Sequence, residues 1–314
     1  MAEKIMIRGV RFDSVNMDEA VEIAAGFINF DENQPRMASP QDAAQQHQPR
    51  MASPQDAAQQ HQPRKASPLD VAQQHQPRKA SPLDVAQQHQ PRKASPFVVH
   101  TPNSEIVQLC VEQPEYYPLI NSADLIIPDG IGVVLASKIL RTPLVKGKVA
   151  GCDLGLRVAE YCAETDVSVY FLGGKPGVAE LAGQKLAERF PGFRLAGYRD
   201  GYFNKSAGEE NDAVIEAINA SGAKVLYVCL GVPAQEKWIY ENKARLTNVK
   251  LCLALGGSLD VYAGTVKRAP KVFIKLGLEW FWRLLLQPTR IGRMMKLPKF
   301  LIGVIVNGNK SGEA

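Results

Sequence analysis

The sequence predicts an α/β fold: a mostly parallel, Rossmann-like sheet flanked by helices, with a helical, basic C-terminal appendage and a low-complexity insert. Three observations lead there. Short β-rich runs (FVVHTPN, ADLIIPDGIG, VSVYFLGG, KVLYVCLGVPAQE and VKLCLALGGSLD) alternate with helical stretches, as in sheets built from strand–helix–strand units. Each run passes into Gly, Pro, Asn or Asp, and the loops so formed belong at the carboxyl ends of the strands, where such sheets bind ligands. With 45% hydrophobic residues in 314, the chain has enough apolar surface for a sizeable core.

The first element, IMIRGVRFDSVNMDEAVEIAAGFINF, reads as a short strand, a turn and an amphipathic helix. From Gln34 to Pro96 a 14-residue unit, QPR(M/K)ASP(Q/L)D(A/V)AQQH, then repeats. Rich in Pro, Gln and Ala, each unit has too little apolar surface to offset the entropy of ordering, so 34–96 is expected to be a disordered insert. Removing it leaves a continuous pattern: residues 1–33 and 97–266 form the α/β core, and 267–314 the appendage.

FVVHTPNSEIVQLCVE follows as a strand, a loop and a helix, with Thr101 and Asn103 at the strand end. ADLIIPDGIG sets Asp129 directly after an apolar strand. Each of these three polar residues has two readings, a helix cap or a member of a convergent site. FLGGKPGVAELAGQKLAERF gives a Gly-rich turn whose helix-start amides either hold a phosphate or simply turn the chain. It is neither a P-loop nor the full GxGxxG fingerprint, which makes a hydride-transferring dinucleotide enzyme a distant runner-up.

VCLGVPAQEKW puts Gln235, Glu236 and Lys237 at a helix start, where an amide can read a sugar or base, although a first-turn Glu needs no function. GGSLD adds Gly257 and Asp260 to the same layer of loops. No DxD occurs, so paired carboxylates for a divalent metal are not supported, and neither metal nor cofactor is expected. The five cysteines form no CxxC pair and read as buried thiols, while four of the five histidines fall in the repeat and only His100 lies in ordinary sequence.

Charge is unevenly distributed. From Lys267 to Lys310 there are ten Lys or Arg and one acid, Glu279, so this segment carries nine of positive charge in a chain of net +5. Its apolar face, with Trp280, Phe281, Trp282 and Leu284 to Leu286, suits either the core or an anionic bilayer surface. No run reaches the roughly 20 apolar residues of a membrane span, and no cleavable leader is evident, which points to a cytoplasmic protein peripheral to the inner face of the plasma membrane.

Taken in order and spacing, TPNSEIV, ADLIIPDGIGVVLASK, KVAGCDL, YFLGGKPGVAE, FPGFRLAGYRDGYF, VPAQEKW and GGSLDVYAGTVKRAPKVFIKLGLEWFWRLLLQP resemble the WecG/TagA/CpsF family of bacterial glycosyltransferases. The resemblance implies inverting, metal-independent transfer of N-acetylmannosamine, or a related N-acetylhexosamine or uronic acid, from a UDP-sugar to undecaprenyl-diphosphate-linked N-acetylglucosamine, in polysaccharide synthesis such as that of wall teichoic acid. By motif match, Asp129 falls on the general base and Thr101 on the threonine beside it. Asn103, Gly257 and Asp260 fall on the nucleotide pocket, and Gln235 on the glutamine of PKQE.

Lys148, in VKGKVAG, stands where the family has an active-site arginine, keeping the charge but not the two-pronged geometry. Arg283, Arg290 and Arg293 match appendage arginines that meet the leaving group. The implied partners are the UDP-sugar, the lipid-linked acceptor, an anionic membrane surface and a homo-oligomer that buries the tail. A non-catalytic peripheral membrane or nucleic-acid-binding protein would explain the basic tail but not the loops. Nucleic acid is not expected as a partner, because the aromatics cluster at helical spacing rather than as platforms among basic residues.

Overall fold

A computed structural model of the protein describes residues 2–30, 95–275, 278–286, 288 and 291–310. Apart from Ser95 and Pro96, the expected insert lies outside them. The chain opens with β1 (Glu3–Ile7) and β2 (Val10–Ser14), an antiparallel pair with Ile7 opposite Val10. The single strand expected here is therefore two. Arg8 (φ 50°) and Gly9 (φ 81°) both take left-handed backbone, the requirement of a tight two-residue hairpin turn.

Helix α1 (Met17–Ile28) begins at a capping box in which Asn16 Oδ1 accepts from the Glu19 amide and Glu19 returns the bond to the Asn16 amide. After the undescribed stretch come β3 (Phe97–His100), α2 (Ser104–Glu112), α3 (Tyr116–Asn121), β4 (Leu125–Ile126), α4 (Ile131–Ile139) and α5 (Gly151–Glu164). The Phe30 and Phe97 rings meet at 5.4 Å, so the two described pieces join within one unit.

The chain continues through β5 (Ser168–Gly173), α6 (Val178–Arg189), β6 (Arg194–Arg199), α7 (Glu209–Ala220), β7 (Val225–Cys229), α8 (Ala234–Asn242), β8 (Leu251–Ala254) and α9 (Ser258–Tyr262). Among the described residues, four helices close the tail: α10 (Lys271–Lys275), α11 (Glu279–Leu286), α12 (Ile291–Met294) and α13 (Lys296–Asn307).

Six strands form one parallel sheet in the order β4-β3-β8-β7-β5-β6. Five of them are the runs read from sequence. The sixth, β6, is an edge strand, RLAGYR, whose half-exposed residues lack a continuous apolar run.

The sheet is covered on both faces, which is why its strands other than β6 are largely apolar. Val98, Leu226, Val228, Cys252 and Ala254 pack in one layer with residues of α2, α4, α7 and α8. Val99, Phe171, Tyr227, Leu251 and Leu253 pack in the other with α1, α5, α6 and α9. Phe300 and Val304 of α13 join the first layer, each 1% exposed, so the tail's last helix is part of the core. Asn309 ties the helix's far end to the hairpin: its Oδ1 accepts from the Arg8 amide at 2.6 Å and its Nδ2 donates to the Met6 carbonyl at 3.0 Å.

Gly173 shows how tightly the strand ends are set. Its φ is +130°, and a Cβ there would lie 2.2 Å from the Cys229 carbonyl oxygen at the end of the neighbouring strand. Gly173→Ala is expected to cost about 3 kcal/mol in denaturant unfolding, through strained backbone and a clash with main chain that cannot give way. Gly26→Ala, in α1 with nothing within 4 Å, should instead add about 0.5–1 kcal/mol.

Candidate active site

Because all six strands run parallel, their carboxyl ends gather the loops on one side. There they border a cavity of about 990 Å³. Thr101, Asn103, Asp129, Lys148, Gln235, Gly257 and Asp260 all line it, although they come from five separate stretches of chain.

The end of β3 supplies Thr101 and Asn103. Thr101 is 9% exposed, and its hydroxyl donates to the Ala254 carbonyl at 3.0 Å, joining the ends of β3 and β8. Asn103 is the N-cap of α2; its Oδ1 accepts from the Glu105 and Ile106 amides at 3.0 and 3.2 Å. Capping fixes this side chain at the cavity wall, so its two readings are compatible.

Asp129 does not cap the helix that follows it. The N-cap of α4 is Gly130, at φ 92°, with no side-chain bond. Asp129 Oδ2 instead accepts from the Gly151 amide at 3.3 Å, in the first turn of α5. Thr101 flanks the same glycine: a Cβ at Gly151 would come within 2.8 Å of Thr101 Oγ1. Gly151 thus lets the carboxylate and the hydroxyl approach one helix start together.

Gln235 is 2% exposed and its amide is engaged on both sides. Oε1 accepts from the Gly256 amide at 2.9 Å, and Nε2 donates to Glu236 Oε1 at 2.8 Å. Burial pushes the Glu236 carboxyl up to about 7, against the opposing hydrogen bond from Gln235. Asp260, in the first turn of α9, accepts from the Thr265 hydroxyl and the Val266 amide through its carbonyl, at 3.0 and 3.1 Å.

The tail forms the remaining wall, with Glu279, Trp280, Leu286 and Leu297 bordering the cavity. Glu279, the one acid between Lys267 and Lys310, makes a partly buried ion pair with Lys148. Arg268 makes a second tie to the core, through Asp153 at 2.6 Å. Arg290 lies outside the described residues, as do the side chains of Arg283 and Arg293. Gly174, Lys175 and Pro176 also border the cavity, below the uncapped start of α6.

Sequence reasoning assigns no role to Glu279, Gly151 or Glu236, all of which the fold brings to the site or directly behind it. A lone acid in an otherwise basic stretch is the signal that could have singled out Glu279. Among the described residues, no three His, Cys, Asp or Glu side chains converge as a metal site. His100 is buried, with Nδ1 against the Ile120 carbonyl at 3.1 Å, and burial lowers its pKa to about 4. Four cysteines are buried and Cys152 is partly exposed.

The sequence model of the Glycosyl transferase WecG/TagA/CpsF family matches residues 73–313. A Bacillus spizizenii protein named N-acetylglucosaminyldiphosphoundecaprenol N-acetyl-beta-D-mannosaminyltransferase is 37% identical over 217 residues, covering 69% of this chain and 81% of its own. A Bacillus subtilis protein of the same name is 34% identical over 208 residues, covering 66% and 78%. A match over most of the chain, together with the parallel sheet and the loops at its carboxyl ends, means that the chain belongs to the WecG/TagA/CpsF family of glycosyltransferases.

Proposed function

We propose that the protein transfers N-acetylmannosamine from UDP to undecaprenyl-diphosphate-linked N-acetylglucosamine, with inversion at the anomeric carbon and no metal requirement, at the inner surface of the plasma membrane. The observation that carries this reading is the convergence of Thr101, Asn103, Asp129 and Asp260 on one cavity whose far wall is the tail. The relatives' names support the sugar and the acceptor.

In this reading the nucleotide lies over the Gly256–Asp260 loop and Asn103. An acceptor hydroxyl attacks the anomeric carbon as its bond to the diphosphate oxygen breaks. Asp129 takes the hydroxyl proton, oriented by the Gly151 amide. UDP leaves with the electron pair of the broken bond, and its growing negative charge meets Lys148, Lys175, the α6 amides and the tail arginines. Anionic substrate arriving at Lys148 competes with Glu279, so filling the cavity and moving the tail are linked.

A lipid-linked acceptor calls for a surface that meets the bilayer. Val272, Leu285, Ile291, Met295, Ile302, Ile305 and Val306 are each at least half exposed on the tail helices, in the basic part of the chain. Among the described residues, no helix is long and apolar enough to cross a membrane. These side chains suit shallow insertion, with Lys and Arg drawn to anionic headgroups. Burial between copies of the chain is the alternative use of the same surface.

The test is sugar transfer from UDP-N-acetylmannosamine to a short-chain lipid-linked N-acetylglucosamine, assayed in EDTA. Wild type should turn over undiminished by the chelator, and Asp129→Asn should lose about 10²–10⁴-fold in kcat while binding UDP as wild type does. Asp129→Asn at near wild-type rate would remove the base. In a second measurement, sedimentation with vesicles should show binding to anionic lipid that weakens from 50 to 500 mM salt as charges are screened. Equal binding to neutral vesicles would contradict the electrostatic part.

A further inference from the structure

Behind the proposed nucleotide loop lies a buried carboxyl group that the transfer chemistry leaves unused. Glu236 is 1% exposed in the first turn of α8, and its Oε2 has no hydrogen-bond partner among the described residues. A buried carboxyl group with one unpartnered oxygen costs stability, and an apolar side chain of similar size would be cheaper there. Its other oxygen, Oε1, accepts from Gln235 Nε2 at 2.8 Å. Gln235 Oε1 in turn accepts from the Gly256 amide at 2.9 Å.

A glutamine amide can turn over, exchanging its oxygen and nitrogen. The Gly256 N–H is only a donor, so it is served only when the oxygen faces it. The Glu236 carboxyl group supplies the acceptor that the NH₂ end then requires. Without Glu236 the buried NH₂ end has lost its acceptor, and an amide that swings away to find another leaves the Gly256 N–H unserved. Gly256 has left-handed backbone at φ 58°, and the loop it begins runs through Gly257 into α9 and Asp260, all bordering the cavity.

We infer that Glu236 is a positioning residue which, by fixing the orientation of Gln235, holds the Gly256 amide and so sets the loop from Gly256 to Asp260 for the nucleotide. This rests on the reading of the cavity as a UDP-sugar site. It also gives Gln235 a positioning task, since each end of its amide is bonded to protein. Burial holds the carboxyl group largely protonated below about pH 7, and Oε1 accepts from Gln235 when the proton sits on Oε2 as well as when it is absent.

The experiment is UDP titration by calorimetry on the full chain, comparing wild type with Glu236→Leu and Glu236→Gln and recording melting temperatures alongside. Glu236→Leu, which removes the unpartnered Oε2 but leaves the Gln235 NH₂ without its acceptor, should stay folded with a melting temperature close to that of wild type yet bind UDP about tenfold more weakly, because the loop loses its anchor. Glu236→Gln, which keeps an acceptor for Gln235, should bind within about threefold of wild type. If the leucine variant does not fold, Glu236→Met of the same length takes its place. Unchanged UDP affinity in the folded leucine or methionine variant would overturn the inference and leave the UDP site standing. Failure of wild type itself to bind UDP would overturn the site reading, and the inference with it.

Discussion

The site depends on one pairing, that of β3 with β8. Phe97, Val98 and Val99 lie in parallel register with Leu251, Cys252 and Leu253, so two strands about 150 residues apart in sequence end side by side. The Thr101 hydroxyl, bonded to the Ala254 carbonyl, extends that pairing one step beyond the sheet. From there the two loops diverge into α2 and α9, each started by a residue that borders the cavity. Strand pairing alone brings Asn103 and Asp260 to one pocket, and the burial of both sheet faces makes a slip in register costly.

Around this centre, residues that serve the fold also serve the site. Asn103 starts α2 and borders the cavity; Asp129 meets the first amide of α5 rather than that of its own helix; Gly151 is small so that Thr101 can pass. The tail works at two levels. Its last helix places Phe300 and Val304 in the core, while α11 sets Glu279 against Lys148 at the cavity mouth. The tail is thus anchored at its far end by core packing and tied near the pocket by an ion pair.

Much of this was legible in the sequence, and the limits have physical causes. Five strands stood out because strands buried on both faces are continuous apolar runs; β6 lies at the edge, where RLAGYR needs no such run. The hairpin turned on two left-handed residues, Arg8 and Gly9, and an arginine there gives little warning. The loop residues were identifiable by type and position, but their partners were not: that Asp129 reaches Gly151, or that Gln235 reaches Gly256, follows from contacts between distant segments. Glu236 looked like an ordinary first-turn acid because its burial depends on the layer packed above it.

The central claim is that the cavity at the strand ends holds the nucleotide. Photolabelling with 5-azido-UDP, followed by peptide mapping, tests it most directly. The account predicts label in the peptides carrying Asn103 or Gly256 to Val266, suppressed by excess UDP. Label confined to the basic segment from Lys271 to Lys310, or labelling that excess UDP leaves unchanged, would contradict it.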